Sequence, residues 1–158
     1  MAKVESRRIR GVAWYAAILG IAYLIIGAIE FAAGLYNLFL PGAIEGIFGV
    51  PADLFGGFSS LVIGAAYSGV LLRRGKQESI GFQMVAVLLS FVFGGLYLLI
   101  VCADGLGTLI STFEGEEWTW EWLVSGSAGN GILRPEIWLA AASLPLAYVM
   151  LIAARKKT

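Results

Sequence analysis

Glu30 is the residue whose chemistry stands out first. It is the single charge in the twenty-nine residues from Val12 to Leu40, VAWYAAILGIAYLIIGAIEFAAGLYNLFL. An ionisable side chain inside an apolar run of membrane length is costly to keep and faces protein or water, so it marks a site by default. The chemistry open to such a carboxyl is uptake of a proton or a cation, and its structural alternative is a hydrogen bond to Tyr, Ser or Gln on a neighbouring helix. Counting about 1.5 Å per residue from Trp14, Glu30 lies ~24 Å in, in the outer third of a bilayer.

Asp104 is its candidate partner. Shifting residues 20–35 by 74 places Gly20 on Gly94, Tyr23 on Tyr97, Leu24 on Leu98 and Glu30 on Asp104. Shifting the second apolar run by 81 places Ala66 and Tyr67 on Ala147 and Tyr148. The pattern reads as two helix hairpins in tandem, related by an axis along the membrane normal, against the alternative that Gly, Ala, Leu and Tyr align by chance. In that arrangement Glu30 and Asp104 approach one end of the bundle from two sides.

A second group of acids, Glu114, Glu116, Glu117 and Glu121, is interleaved with Trp118, Trp120 and Trp122. The acids would collect cations and the indoles would stack on a sugar or a lipid headgroup. The plainer reading is an interfacial aromatic belt with a solvated acidic edge. Arg134 is the one cation outside the basic clusters. Glu30, Asp104 and Glu136 are its candidate partners, and an ordinary helix-end charge is the favoured reading.

Catalysis finds little support. The chain has no histidine, which argues against haem, the common zinc sites and Ser-His or Cys-His nucleophiles. The lone Cys102 has no second cysteine to pair with and reads as a packing residue. No phosphate loop or nucleophile elbow is present, so no enzyme activity, metal, cofactor or nucleic-acid partner is expected.

The elements that position these residues are membrane spans. A hydrophobic fraction of 59% and a charged fraction of 14% place the 158-residue chain among polytopic membrane proteins. Four spans are expected, at about 12–40, 54–72, 80–103 and 135–154, in a single transmembrane domain. Segments 41–53 and 104–134 lie between them. The fold class is an all-α four-helix bundle. Ala43–Asp53 reads as an interfacial or partly re-entrant piece. In the long second segment the period-two tryptophans suggest a strand, with Glu114 and Gly115 at a hairpin turn. Pro145 should kink the last helix.

Ten of the eleven basic residues fall in three clusters: Lys3, Arg7, Arg8 and Arg10; Arg73, Arg74 and Lys76; Arg155, Lys156 and Lys157. By the positive-inside rule both termini are cytoplasmic and the long loop faces out, in a plasma or inner membrane.

Small residues run in stripes along these spans. Gly20, Gly27 and Gly34 recur every seven residues beside Tyr23, Glu30 and Asn37, and Gly56, Ser60, Gly64 and Ser68 recur every four. Such stripes let membrane helices meet closely. They make helix–helix association the leading functional reading, as a homo-oligomer or an accessory subunit of a membrane complex. Those subunits and the lipid bilayer are the expected partners. The alternative is a small ion- or proton-coupled transporter or channel that uses Glu30 with Asp104. A glutamate in the first of four spans also occurs in small multidrug exporters. A first helix of this length and a thirty-residue second loop depart from their compact pattern, and the sequence alone assigns no family.

Overall fold

The computed structural model describes residues 2–73, 78–127 and 129–155, with the side chains of 2–10, 153 and 154 outside the description. The expected basic clusters at Lys3, Arg7, Arg8 and Arg10, at Arg74 and Lys76, and at Lys156 and Lys157 therefore lie outside the described residues or side chains. Helix α1 runs Ala2–Phe39, and a short hairpin, β1 (Gly46–Ile47) and β2 (Val50–Pro51), follows it. Then come α2 (Leu54–Leu72), α3 (Glu78–Phe113), α4 (Glu121–Ser125), a 3₁₀ turn over Gly131–Leu133, α5 (Pro135–Ala142) and α6 (Leu144–Arg155). Four stretches are long and apolar enough to cross a membrane: Gly11–Phe39, Leu54–Leu72, Glu78–Phe113 and Pro135–Ile152. The fold is that of an α-helical, four-span membrane bundle.

The core of the bundle is the pair α1 and α2, held at backbone contact by glycine. A Cβ on Gly27 would sit 2.8 Å from the amide nitrogen of Leu61 and 2.9 Å from the carbonyl of Gly57. One on Gly20 would meet Ser68 N at 3.1 Å, and one on Gly34 would meet the Leu54 Cα at 2.7 Å. From the other side, a Cβ on Gly64 would lie 2.9 Å from Gly20 O. Close approach multiplies weak dispersion contacts, which drive helix association where lipid is as apolar as leucine. Below this seam Ala16, Leu19, Tyr23, Ile63, Tyr67, Val87 and Leu146 form the apolar core. Side chains on the outer faces, such as Ile18, Ile21, Leu88, Leu99 and Leu151, are exposed and apolar, as lipid contact requires.

Three local expectations change. Segment 41–53 is a hairpin, turned at Phe48 (φ 53°) and Gly49 (φ 74°). Asn37 clamps its base: its side-chain nitrogen donates to Ile44 O at 2.6 Å and its oxygen accepts from Ile44 N at 3.0 Å. Helix α3 continues ten residues past Ala103, because Asp104 finds partners without ending it. The tryptophan segment is not a strand. Trp118, Trp120 and Trp122 pack on one another with ring centroids 5.4–6.3 Å apart, and Trp122 lies within α4. An indole cluster satisfies these rings where no neighbouring strand offers a ladder. Glu114 and Gly115 do form a turn, with Gly115 at φ 99°.

The last span breaks at Ser143. Pro145 has no N–H for the carbonyl four residues back, and Leu146 N turns to Ser143 O at 3.1 Å. The carbonyl of Ala142 accepts instead from the Tyr15 hydroxyl at 2.8 Å.

Candidate functional site: a buried carboxyl cluster at the loop end

The site forms where α2 begins. Asp53 is the N-cap of α2, and its Oδ1 accepts from Phe55 N at 3.0 Å and Gly56 N at 2.9 Å. Its other oxygen accepts from the Tyr97 hydroxyl of α3 at 2.8 Å and from the Arg134 guanidinium. One carboxylate thus ties α2, α3 and the entry to α5.

Arg134 is buried, at 2% exposure, although it precedes a helix that starts with proline. Its Nε donates to Glu136 Oε2 at 3.1 Å, and its guanidinium lies 3.6 Å over the Tyr97 ring. It bridges two acids and an aromatic face, as the planar arginine fork allows and a lysine would not. The favoured reading of Arg134 as an ordinary helix-end charge is therefore corrected. Sequence offered Glu136 as a partner, but Asp53, 81 residues away, was not foreseen. For Asp53, burial pushes the pKa up, and the Gly56 amide, the Tyr97 hydroxyl and Arg134 together outweigh it, leaving the group below its usual value.

Glu30 lies behind this ion pair. Its carboxyl faces Glu136, with Arg134 and Asp53 beyond, and the residue is wholly buried. Neither of its oxygens has a hydrogen-bond partner among the described residues, and neither has Glu136 Oε1. Two facing carboxylates only accept, so the contact becomes a bond when one of them carries a proton, or when a cation lies between them. Counted as ions, the cluster holds Glu30, Asp53 and Glu136 against Arg134.

Two adjacent glycines make the room. A Cβ on Gly57 would meet the Phe31 Cα at 2.7 Å, so its absence brings the α1 backbone at Glu30 against α2. A Cβ on Gly56 would lie 2.7 Å from the Tyr97 hydroxyl, 2.8 Å from Glu136 Oε1 and 2.9 Å from Arg134 Nη2. Gly56 faces the polar cluster rather than a helix seam. Ser60, one turn on, is fully buried beside Gly27, and its hydroxyl has no partner among the described residues.

Asp104 is not brought to Glu30. Its carboxylate accepts from Ser127 N at 2.8 Å and Ser127 Oγ at 2.5 Å, pinning the loop after α4 to α3. It lies seven residues beyond Tyr97 on α3, about 10 Å further toward the loop end. Glu114, Glu116, Glu117 and Glu121 are exposed, as are Trp118 and Trp120. No group of three or more metal-ligating side chains is found among the described residues.

An open cleft of about 660 Å³ leads to the cluster, lined by Asn37, Glu45, Asp53, Tyr97, Ser127 and Arg134 together with apolar side chains. Asp53 and Arg134 line it, whereas Glu30 and Glu136 are buried and do not. Four apolar helices of spanning length packed around this cluster define an integral membrane protein. Residues 7–153 match the family described as MJ0565 integral membrane domain, and the chain belongs to that family. No curated protein and no solved structure matches it.

Proposed function

We propose that this chain is a non-enzymatic membrane protein that binds and passes a proton or a small cation, with Glu30 as its ion site. One observation carries the reading: a fully buried carboxyl, with neither oxygen partnered among the described residues, in a cluster of three acids and one arginine. Intramembrane carboxyls in such surroundings serve ion and proton pathways. Asp53, which lines the cleft, is the first acid an entering cation meets. With both termini cytoplasmic, as the basic clusters predict, the cleft opens outward.

Helix–helix association with a second copy or another subunit would use other surfaces than the glycine stripe of α1, because Gly20, Gly27 and Gly34 lie against α2 of the same chain. The ion-site reading is therefore favoured over the accessory-subunit one, and Asp104 has no part in it. The test is flux into vesicles of the purified chain under a pH or cation gradient. Glu30→Gln should abolish the flux and keep the fold. Wild-type rates in that variant would remove the proposal.

A further inference from the structure

A second polar group lies deeper in the bundle, toward the end that carries the chain termini. Tyr67 of α2 donates to Ser143 Oγ at 2.8 Å, and Ser143 donates on to Leu139 O at 2.9 Å. Ser90 Oγ of α3 lies 3.3 Å from Tyr67 Oη and donates to Ala86 O at 2.8 Å. Tyr23 of α1 stacks on Tyr67 at 5.9 Å, and its hydroxyl faces Ser90 and Ser143. All four residues are buried, so one hydroxyl from each span meets at a single level. Each is seven residues from a member of the carboxyl level or its approach: Tyr23 from Glu30, Tyr67 from Ser60, Ser90 from Tyr97, Ser143 from Glu136. Seven residues are two turns, about 10 Å. Helical side chains lean toward the helix N-terminus, so Glu30 reaches from the upper level toward Tyr23.

At the carboxyl level and along the way to the hydroxyl level, both Glu30 oxygens, Glu136 Oε1, Ser60 Oγ and Tyr23 Oη are buried without a hydrogen-bond partner among the described residues, as are Gln83 Nε2 and Trp122 Nε1 elsewhere. Buried polar atoms in stable folds are paired, commonly through water, and the first five come from α1, α2 and α5. At the far side, Ser143 sits in the break between α5 and α6, next to the Ala142 carbonyl that holds the Tyr15 hydroxyl. Tyr15 is exposed beside Trp14. From Glu30 to Tyr15 is fifteen residues, about 22 Å of a core ~30 Å thick.

We propose that the ion is a proton, and that Tyr23, Tyr67, Ser90 and Ser143 form its path from the Glu30–Glu136 carboxyl pair to the helix break at Tyr15. This rests on the reading of Glu30 as the ion site. A level of four hydroxyls can pass a proton by exchange but holds no carboxylate to balance a sodium ion in an apolar core, which favours a proton over sodium. The protonated carboxyl breaks its O–H bond as a bridging water or Tyr23 forms one. That oxygen releases its own proton to the next, with Ser90 and Ser143 turning from the Ala86 and Leu139 carbonyls to which they donate at rest. The last proton passes to bulk water on the exposed side of Tyr15, so each O–H bond made is matched by one broken and no hydroxyl keeps a charge. The charged and titratable groups around Glu30 are Glu136 and Arg134 at the start of α5, Asp53 at the start of α2 and Tyr97 on α3. Any of these sets how readily the pair loads.

The experiment is proton uptake into vesicles containing a pH-sensitive dye, beside infrared difference spectra of the purified chain after an acid jump. The spectra should show a carboxyl C=O band that Glu30→Gln removes. Tyr67→Phe and Ser143→Ala should keep that band and lower the flux about tenfold or more, as loss of a proton-transfer group does, while Ser143→Thr restores it. Wild-type flux in both hydroxyl-deleted variants, with Glu30→Gln inactive, would overturn the path and leave the ion site standing. Wild-type flux in Glu30→Gln would overturn the site itself. Flux of sodium at constant pH through the wild type would replace the proton by a cation. Ser143→Thr guards against misfolding, since it keeps the hydroxyl and adds only a methyl group.

Discussion

Asp53 and Arg134, 81 residues apart, are joined by an ion pair in which the arginine side chain is 3% exposed and the aspartate side chain 26%. The pair closes the loop end of the bundle and lines the cleft there. Its position makes it a structural tie between α2 and the entry to α5.

Removing the arginine should be the most damaging single change at this end. Arg134→Ala leaves Asp53 and Glu136 as uncompensated acids next to Glu30, and breaking a buried pair in this way costs about 3–5 kcal/mol. A melting curve in mild detergent should fall accordingly. Arg134→Lys should recover only part of the loss, because an ammonium cannot hold two acids and stack on Tyr97.

Acid should unfold the protein through Asp53. Its pKa in the folded chain lies below the ordinary value of ~3.9, so the unfolded chain binds the proton more readily. The stability it contributes is complete above that ordinary value and is lost as pH falls through the lower, folded one. Melting temperature against pH should therefore bend downward below about pH 4. In Asp53→Asn that bend should weaken, from a lower plateau.

Glycines on the α1–α2 seam should behave unlike glycines facing lipid. Gly27→Ala places a methyl group 2.8 Å from Leu61 N, and overpacking of this kind costs about 1–3 kcal/mol. Gly95→Ala meets nothing within 4 Å and should be neutral or stabilising by up to about 1 kcal/mol, as helix propensity favours alanine. Thermal melts of the two variants side by side make the comparison.

Asp104→Asn separates the two acids that the tandem alignment pairs. Asp104 serves Ser127, so the variant should lose about 1–2 kcal/mol of stability, the worth of a charged hydrogen bond, and keep proton flux near wild type. Flux as low as that of Glu30→Gln would bring Asp104 back into the site.

Composition and spacing determined the class of this protein. Four apolar runs of spanning length dictate four membrane helices, because only a helix satisfies its own backbone in lipid. The stripe of Gly20, Gly27 and Gly34 was legible for the same reason: a helix repeats its face every seven residues, and a missing side chain can be read from the letters. Glu30 stood out because a charge in an apolar run is conspicuous by itself. Asp53 did not, and Arg134, though noticed with Glu136 as a candidate partner, read as an ordinary helix-end charge, because charge at a helix start is common. Their meeting depends on antiparallel packing that brings three helix ends to one level, and nothing local encodes that. The same holds for Asp104, whose register with Glu30 is visible in sequence but whose partner is chosen by a loop folded back onto α3. Tertiary structure alone decided which glycine makes a seam and which, like Gly56, leaves space for charge, because that depends on which helix lies opposite.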